Sequence, residues 1–280
     1  MKKIFAKDIT QTVKQMCMEA NYCLPADVQR AILEARKAEK SPLGADILEK
    51  IAENFSIAQK KRMPICQDTG MAVFFVEIGC DVFVEGNLTE AINLGVRQGY
   101  AEGYLRKSVV ADPLLRVNTN DNTPAIIHYD IVEGDAIDIT FAPKGFGSEN
   151  MSALKMFSPS AGEEGVKQFV LDTVEKAGPN PCPPMVVGVG IGGTMEKCAL
   201  LAKKALARSI DIRNPMEYYK CMEAELLEKI NRLGVGPQGF GGTTTALAVN
   251  IETFPTHIAG LPVAVNIGCH VTRHVHTKIV

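Results

Sequence analysis

Hydrophobic positions recur at helical spacing through the first part of the chain and give way to short β-type runs after residue 70. Between Ile9 and about Lys60, apolar side chains sit three and four apart among charged ones. Val28, Ile32 and Ala35 share one face, and a further helix is predicted over 45–55. Pro25, Pro42 and Gly44 mark the breaks. Residues 71–83 carry enough Val, Phe and Ile for one or two strands, and 89–106 reads as a helix with Ala91, Leu94 and Tyr104 turned toward a core. The runs 125–132 and 136–142 alternate as strands, and Glu133, Gly134 and Asp135 between them predict a hairpin.

After a polar glycine-containing turn at 144–150, a helix is predicted over 163–176 and a strand over 185–191. Helices follow at 195–207 and 217–232, then a tightly turned stretch at 234–245 and a last strong strand at 261–267. Strands and helices mixed in this order predict an α/β or α+β fold with a mixed sheet, not a helical bundle. No heptad, short repeat or low-complexity linker interrupts 1–280, so the expectation is one functional unit, with room for two closely packed lobes whose boundary the pattern does not assign.

Composition narrows the function classes. A chain of 280 residues that is 46% hydrophobic can bury one large core or two smaller ones. Its 32 acidic and 30 basic side chains leave a formal charge of −2 with no basic block, which argues against nucleic acid as a partner. No run approaches the roughly 20 apolar residues that span a bilayer, and the cationic start is too interrupted by Lys7, Asp8, Gln11 and Lys14 to act as a signal peptide. The eight cysteines are therefore expected as free thiols or metal ligands in a reducing cytoplasm.

Three of these cysteines stand in settings suited to chemistry: Cys66 in MPICQDTG, Cys182 in NPCPPMVVGVGIGG and Cys269 in VAVNIGCHVTRH. Thiolates from such separate points can meet at a soft metal or an iron–sulfur centre, although free cysteine also serves as a small buried hydrophobe and the spacing alone defines no zinc knuckle. Cys17, Cys23, Cys80, Cys198 and Cys221 fall in helix or strand patterns and read as structural. GVGIGG at 188–193 follows a strand and precedes a helix, but it lacks the full GxGxxG spacing and no second βαβ strand clearly ends in an acid. A close-packed structural or anion-binding turn is the better reading. His270, His274 and His276 form an HxxxHxH pattern that zinc can use and that surface residues can equally produce.

Taken together, ICQDTG (65–70), YLRKSVVADP (104–113), KGFGSEN (144–150), CPPMVVGVGIGGT (182–194), FGGTTTA (240–246) and HIAGLPVAVNIGCHVTR (257–273) resemble, in order and over most of the chain, the alpha subunit of two-subunit class I fumarate hydratases within the iron–sulfur fumarate/tartrate hydro-lyase family. The resemblance implies a carbon–oxygen lyase in which Cys66, Cys182 and Cys269 hold a [4Fe-4S] cluster whose fourth iron stays open to substrate. It further implies Gln67, Asp68, Arg106, Gly145 and His257 as substrate-binding residues, with Asp68 and His257 also catalytic. Each has a plainer alternative: an Asx-turn for Asp68, a solvated helix end for Arg106, a packed or surface histidine for His257, and a tight turn for Gly145, whose loop departs from the family's all-glycine run at Phe146. Arg273 is expected near the cluster entrance, Thr243, Thr244 and Thr245 around a site-facing turn, and Lys144 and Glu149 as solvated loop charges.

The same resemblance implies a beta subunit that completes the site, an α2β2 assembly, and reversible hydration of fumarate to malate. Dehydration of tartrate to oxaloacetate is the alternative reaction, and a non-catalytic iron–sulfur assembly or regulatory subunit is the alternative of a different class.

Overall fold

The computed structural model describes residues 2–280. In chain order the elements are β1 (Lys2–Phe5), α1 (Ala6–Tyr22), α2 (Ala26–Ala38), α3 (Pro42–Lys61), β2 (Met71–Gly79), β3 (Val82–Glu85), α4 (Leu88–Glu102), β4 (Ile126–Val132), β5 (Ile137–Lys144), α5 (Phe146–Glu149) and β6 (Ala153–Phe157). There follow α6 (Gly162–Ala177), β7 (Met185–Gly192), α7 (Met195–Ala205), α8 (Glu217–Arg232), β8 (Ala246–Phe254), β9 (Leu261–Gly268) and β10 (Val275–Ile279). The fold is α+β with mixed open sheets. It divides into two units, each assembled from separated segments: Met1–Pro25, Asn54–Phe146 and Arg273–Val280 form one, Ala26–Glu53 and Gly147–Thr272 the other.

In the first unit a four-stranded sheet runs β10-β5-β2-β4, with β2 parallel to β4 and antiparallel to β5. Its core joins the apolar stripe of α1 (Ile9, Val13, Met16) to Ile92, Val96 and Tyr100 of α4 and to Phe74, Ile137, Ile139 and Phe141 of the sheet. The hairpin expected at 125–142 does not form, because β2 lies between its two strands. The reason is burial. β2 carries an unbroken buried run from Ala72 to Val76 and takes the centre, whereas β4 is exposed along most of its length and takes an edge. The Gly134 turn instead accepts the Asp81 N–H at 2.9 Å, next to the β2–β3 turn. α4 also stops earlier than its pattern predicts, at Glu102, since Tyr104 adopts φ 51°. Leu94 and Tyr104 are exposed, and Tyr100 does the packing expected of them.

In the second unit the sheet order is β6-β9-β7-β8, with β7 parallel to β8 and antiparallel to β9. Val170 and Val174 of α6 and Leu226 and Ile230 of α8 share a core with Val187, Val189, Val249, Ile251, Val263 and Val265 of the strands. GVGIGG proves to be strand more than turn. A Cβ on Gly188 would lie 2.2 Å from the Ala202 carbonyl oxygen and one on Gly190 2.0 Å from that of Cys198, so the glycines let α7 lie directly on β7. This is the close-packing explanation of the motif. The predicted break at Gly44 is absent as well, because Pro42 starts α3 and Gly44 falls in its first turn.

Candidate functional site

Cys66 sits on an irregular loop between α3 and β2 in the first unit, and backbone groups converge on that loop from several elements. The Ile65 N–H donates to Asn21 O at 3.0 Å, and the Asn54 side chain donates to Ile65 O at 2.9 Å. The fully buried Tyr100 hydroxyl donates to Thr69 O at 2.8 Å and Gly70 O at 3.0 Å, and Asn122 donates to Gly70 O at 3.2 Å. Arg273, buried despite its charge, donates to Asp68 O at 2.8 Å and Asn21 Oδ1 at 3.0 Å. Its place is thus underneath the Cys66 loop, holding the backbone. Sequence alone does not mark Tyr100, Asn21, Asn54 or Asn122. A buried tyrosine in a helix and isolated asparagines give no local signal, since their partners are backbone carbonyls remote in sequence.

The Cys66 sulfur accepts the Asp68 N–H at 3.4 Å. Both oxygens of the Asp68 carboxylate are already engaged, Oδ1 by the Gly70 N–H at 3.0 Å and Oδ2 by the Phe146 N–H at 3.0 Å. The first contact is the Asx-turn weighed as the plainer alternative, and the second joins the loop to Gly145–Phe146. A Cβ on Gly145 would stand 3.0 Å from Asp68 Oδ2, so the glycine makes room for this carboxylate. Gln67 is exposed beside it. Arg106 is brought to the same loop through its backbone, whose carbonyl accepts the Thr69 hydroxyl at 3.0 Å, while its side chain lies in an exposed position. Cys66, Gln67, Asp68, Arg106, Gly145 and Arg273 therefore share one neighbourhood. Lys144 is buried, contrary to its expectation as a solvated loop charge, because it closes β5 opposite Met71.

In the second unit Cys182 precedes β7 and Cys269 follows β9, and the antiparallel register, with Val186 opposite Gly268, brings these strand ends together. The backbone N–H of His270 donates to Cys182 O at 3.1 Å. The Cys269 sulfur accepts the Val271 N–H at 3.4 Å, as the Cys66 sulfur does from its own residue two places on. His257 stands at the other end of β9, an eight-residue strand that spans about 26 Å at ~3.3 Å per residue. Within this unit it is not gathered with Cys182 and Cys269. Its Nδ1 accepts the Ala259 N–H at 3.1 Å, which puts the proton of the neutral ring on Nε2. Glu149, expected in solvent, is half-buried, accepting from Lys203 at 2.5 Å and from Asn266 at 2.9 Å. Thr243 bonds the Glu39 carboxylate, and Thr245 Oγ1 accepts the Gly236 N–H at 3.1 Å.

Among the described residues no group of three or more His, Cys, Asp or Glu side chains is gathered to hold a metal ion. His276, one of the HxxxHxH histidines, faces Asp138 at 3.3 Å and Thr140 at 3.2 Å across the β10–β5 pair. Taken singly, Cys66, Cys182 and Cys269 each have the donor chemistry of a sulfur-ligated cluster's ligand. None of the three is joined in a disulfide, all are at least partly exposed, and two of the sulfurs accept backbone N–H groups. The remaining thiols differ. Burial pushes those of Cys17 and Cys198 up, and burial together with the Glu19 carboxylate pushes Cys23 up to about 11. Cys80 departs from its predicted strand and lies exposed in the β2–β3 turn, and Cys221 is exposed on α8.

Similar proteins bear on this arrangement. The sequence profile described as "Fumarate hydratase (Fumerase)" matches residues 10–278. A protein of Methanocaldococcus jannaschii named "Putative L(+)-tartrate dehydratase subunit alpha" is 45% identical over 97% of this chain and 97% of its own length. The "L(+)-tartrate dehydratase subunit alpha" of Escherichia coli K12 is 33% identical over 95% of this chain and 88% of its own. No helix among the described residues is long and apolar enough to cross a membrane.

Proposed function

Because the chain belongs to the fumarate hydratase/tartrate dehydratase alpha-subunit family of class I iron–sulfur hydro-lyases, we propose that it is the cluster-bearing subunit of a two-subunit enzyme that removes water from L(+)-tartrate to give oxaloacetate. One structural observation carries the cluster assignment: Cys182 and Cys269, far apart in sequence, are tied together by the His270 N–H bond to Cys182 O. A cluster takes one thiolate per iron, so its ligands need not converge on a single point as those of one ion must. Bound at Cys66, Cys182 and Cys269, a [4Fe-4S] cluster would supply Lewis acidity that eases departure of a hydroxyl group.

The chain's own residues do the rest in this proposal. Arg106, exposed beside the Cys66 loop, grips a substrate carboxylate through its planar fork. Gln67 offers an exposed amide, and Gly145 keeps the loop open around Asp68. Asp68 is fixed in direction by the Gly70 and Phe146 N–H groups, so it orients a substrate hydroxyl. A beta subunit supplies the remaining substrate contacts and the base that takes the carbon-bound proton. His257, about 26 Å of strand from Cys269, then acts from a second copy of the chain in an α2β2 assembly.

The names of the relatives favour tartrate, whereas the name of the matching profile favours fumarate hydration to malate as the second reading. Anaerobic turnover of the α/β complex with L(+)-tartrate, fumarate and malate, with iron and sulfide determined on the same sample, separates the two. Turnover of tartrate in clear preference to fumarate is expected. Dominant fumarate–malate exchange would transfer the assignment to the second reading, and absence of iron and sulfide after reconstitution would overturn the cluster.

A further inference from the structure

The turn bearing Cys182 is gripped by two forks. His270 approaches the Cys182 carbonyl oxygen with its backbone N–H at 3.1 Å and its ring Nδ1 at 2.9 Å. Gln238 does the same to the next carbonyl, donating its backbone N–H at 2.8 Å and its side-chain Nε2–H at 2.7 Å to Pro183 O. A carbonyl oxygen only accepts, so the short His270 contact makes Nδ1 the protonated nitrogen. Gln238 Nε2 then packs 3.2 Å from that nitrogen while serving Pro183. Two consecutive carbonyls thus each receive a pair of donors from outside the turn.

The turn has a conformation that needs such support. Cys182 adopts φ 54°, in the left-handed region that residues with a side chain seldom occupy, and such backbone persists where its surroundings over-determine it. The Gln238 fork is itself anchored. Its loop is closed by the Gly241 N–H to Val235 O at 2.9 Å and by the Gly236 N–H to Thr245 Oγ1 at 3.1 Å, and Thr243 beyond it is held by Glu39.

We infer that Gln238 and His270 are positioning residues for the Cys182 thiolate, setting its direction relative to Cys269 before any cofactor arrives. His270 follows Cys269 directly in the chain, so its fork couples the two thiol-bearing segments. Without the forks the Cys182 backbone relaxes toward ordinary negative φ and its sulfur leaves the ligating direction. Partners that orient metal ligands in this way typically change metal retention about 10- to 100-fold when removed. The inference rests on the iron–sulfur reading for its function but not for its geometry.

The test uses the full chain with Gln238→Met, which keeps length and loses both side-chain donors, His270→Ala, and His270→Asn, whose amide nitrogen stands near the position of Nδ1. In the metal-free chain, amide hydrogen exchange in peptides covering 179–190 is expected to speed up severalfold in Q238M and H270A. Peptides covering 63–75 should be unchanged, and H270N should return toward wild type. In reconstituted complex, loss of iron to a chelator is expected about tenfold faster in Q238M and H270A. Exchange over 179–190 equal to wild type in both variants overturns the inference, as does a rise over 63–75 of the same size, which marks general loosening. Should Q238M fail to fold, the H270A and H270N pair decides alone. Should wild-type chain take up no iron or sulfide, the iron–sulfur reading falls while hydrogen exchange still decides the forks.

Discussion

At the scale of single residues, the Cys66 loop depends on groups that never touch a substrate. The Tyr100 hydroxyl satisfies two buried carbonyls, Thr69 O and Gly70 O, and burial pushes its own pKa up, so it remains a donor at any working pH. Tyr100→Phe leaves those carbonyls short of a partner and is expected to destabilise the chain by about 1–3 kcal/mol, measured by urea unfolding. A change within error would mean that Asn122 and its neighbours suffice. Arg106 calls for a different measurement because its side chain is exposed and contributes little to folding. Arg106→Lys preserves charge and loses the planar grip. We expect kcat/KM to fall about tenfold or more, equivalent to ~1.4 kcal/mol of transition-state binding, at unchanged iron content and unfolding midpoint. Equal kcat/KM at matched iron content would remove Arg106 from the substrate site.

At the scale of elements, the same polar economy joins the end of α2 to the loop before β8. The Glu39 carboxylate accepts the Thr243 N–H at 2.8 and 3.0 Å, the Thr243 hydroxyl at 3.0 Å and the Ser41 N–H at 2.9 Å. Burial alone would raise its pKa, but these bonds favour the charged form and hold it down to about 2, from an ordinary 4.5. A carboxyl depressed in the folded state contributes stability that is complete above the unfolded value and is lost as pH falls through the folded one. Glu39→Gln is therefore expected to lower the unfolding midpoint at neutral pH. The gap from wild type should close as pH falls from about 4.5 to about 2. A gap that persists unchanged across that window would show that Glu39 acts through shape and not charge.

At the scale of the whole molecule, a site split between chains makes two claims that activity assays can test. The chain alone is expected to show little hydro-lyase activity, with beta subunit restoring it, and full activity without the beta subunit would refute the division. The placement of His257 at the far end of β9 from Cys269 yields the second claim. Co-expression of a His257→Ala chain with a Cys182→Ser chain should recover activity that neither shows alone, since a mixed assembly then contains one intact pairing of histidine and cysteines. Failure to recover, with mixed assembly verified by mass, would place His257 within its own chain's site or outside the chemistry.

Most helices and the central strands were legible in the sequence because each carries its own periodicity: α8 begins and ends at 217 and 232 as its pattern predicts, and β7 and β9 differ from theirs by one residue at the C-terminal end. The chemistry-bearing motifs were legible too, since cysteines beside glycine, proline and polar residues stand out locally. Strand order was not. Nothing between 125 and 142 shows that β2 will take the place between β4 and β5, because that outcome follows from which strand buries both faces, a comparison across the whole sheet. The interiors of Lys144 and Arg273 were hidden for the same reason. Arg273 is buried where oxygens from remote segments, Asp68 O and Asn21 Oδ1, gather around it, and a one-dimensional pattern records the charge without its company. Sequence by itself therefore determined which residues are equipped for chemistry. Tertiary structure alone decided which of them meet: Asp68 with Gly145, Cys182 with His270, and His257 with neither Cys182 nor Cys269 in its own unit, because hydrogen bonds and strand register act over distance in space and not along the chain.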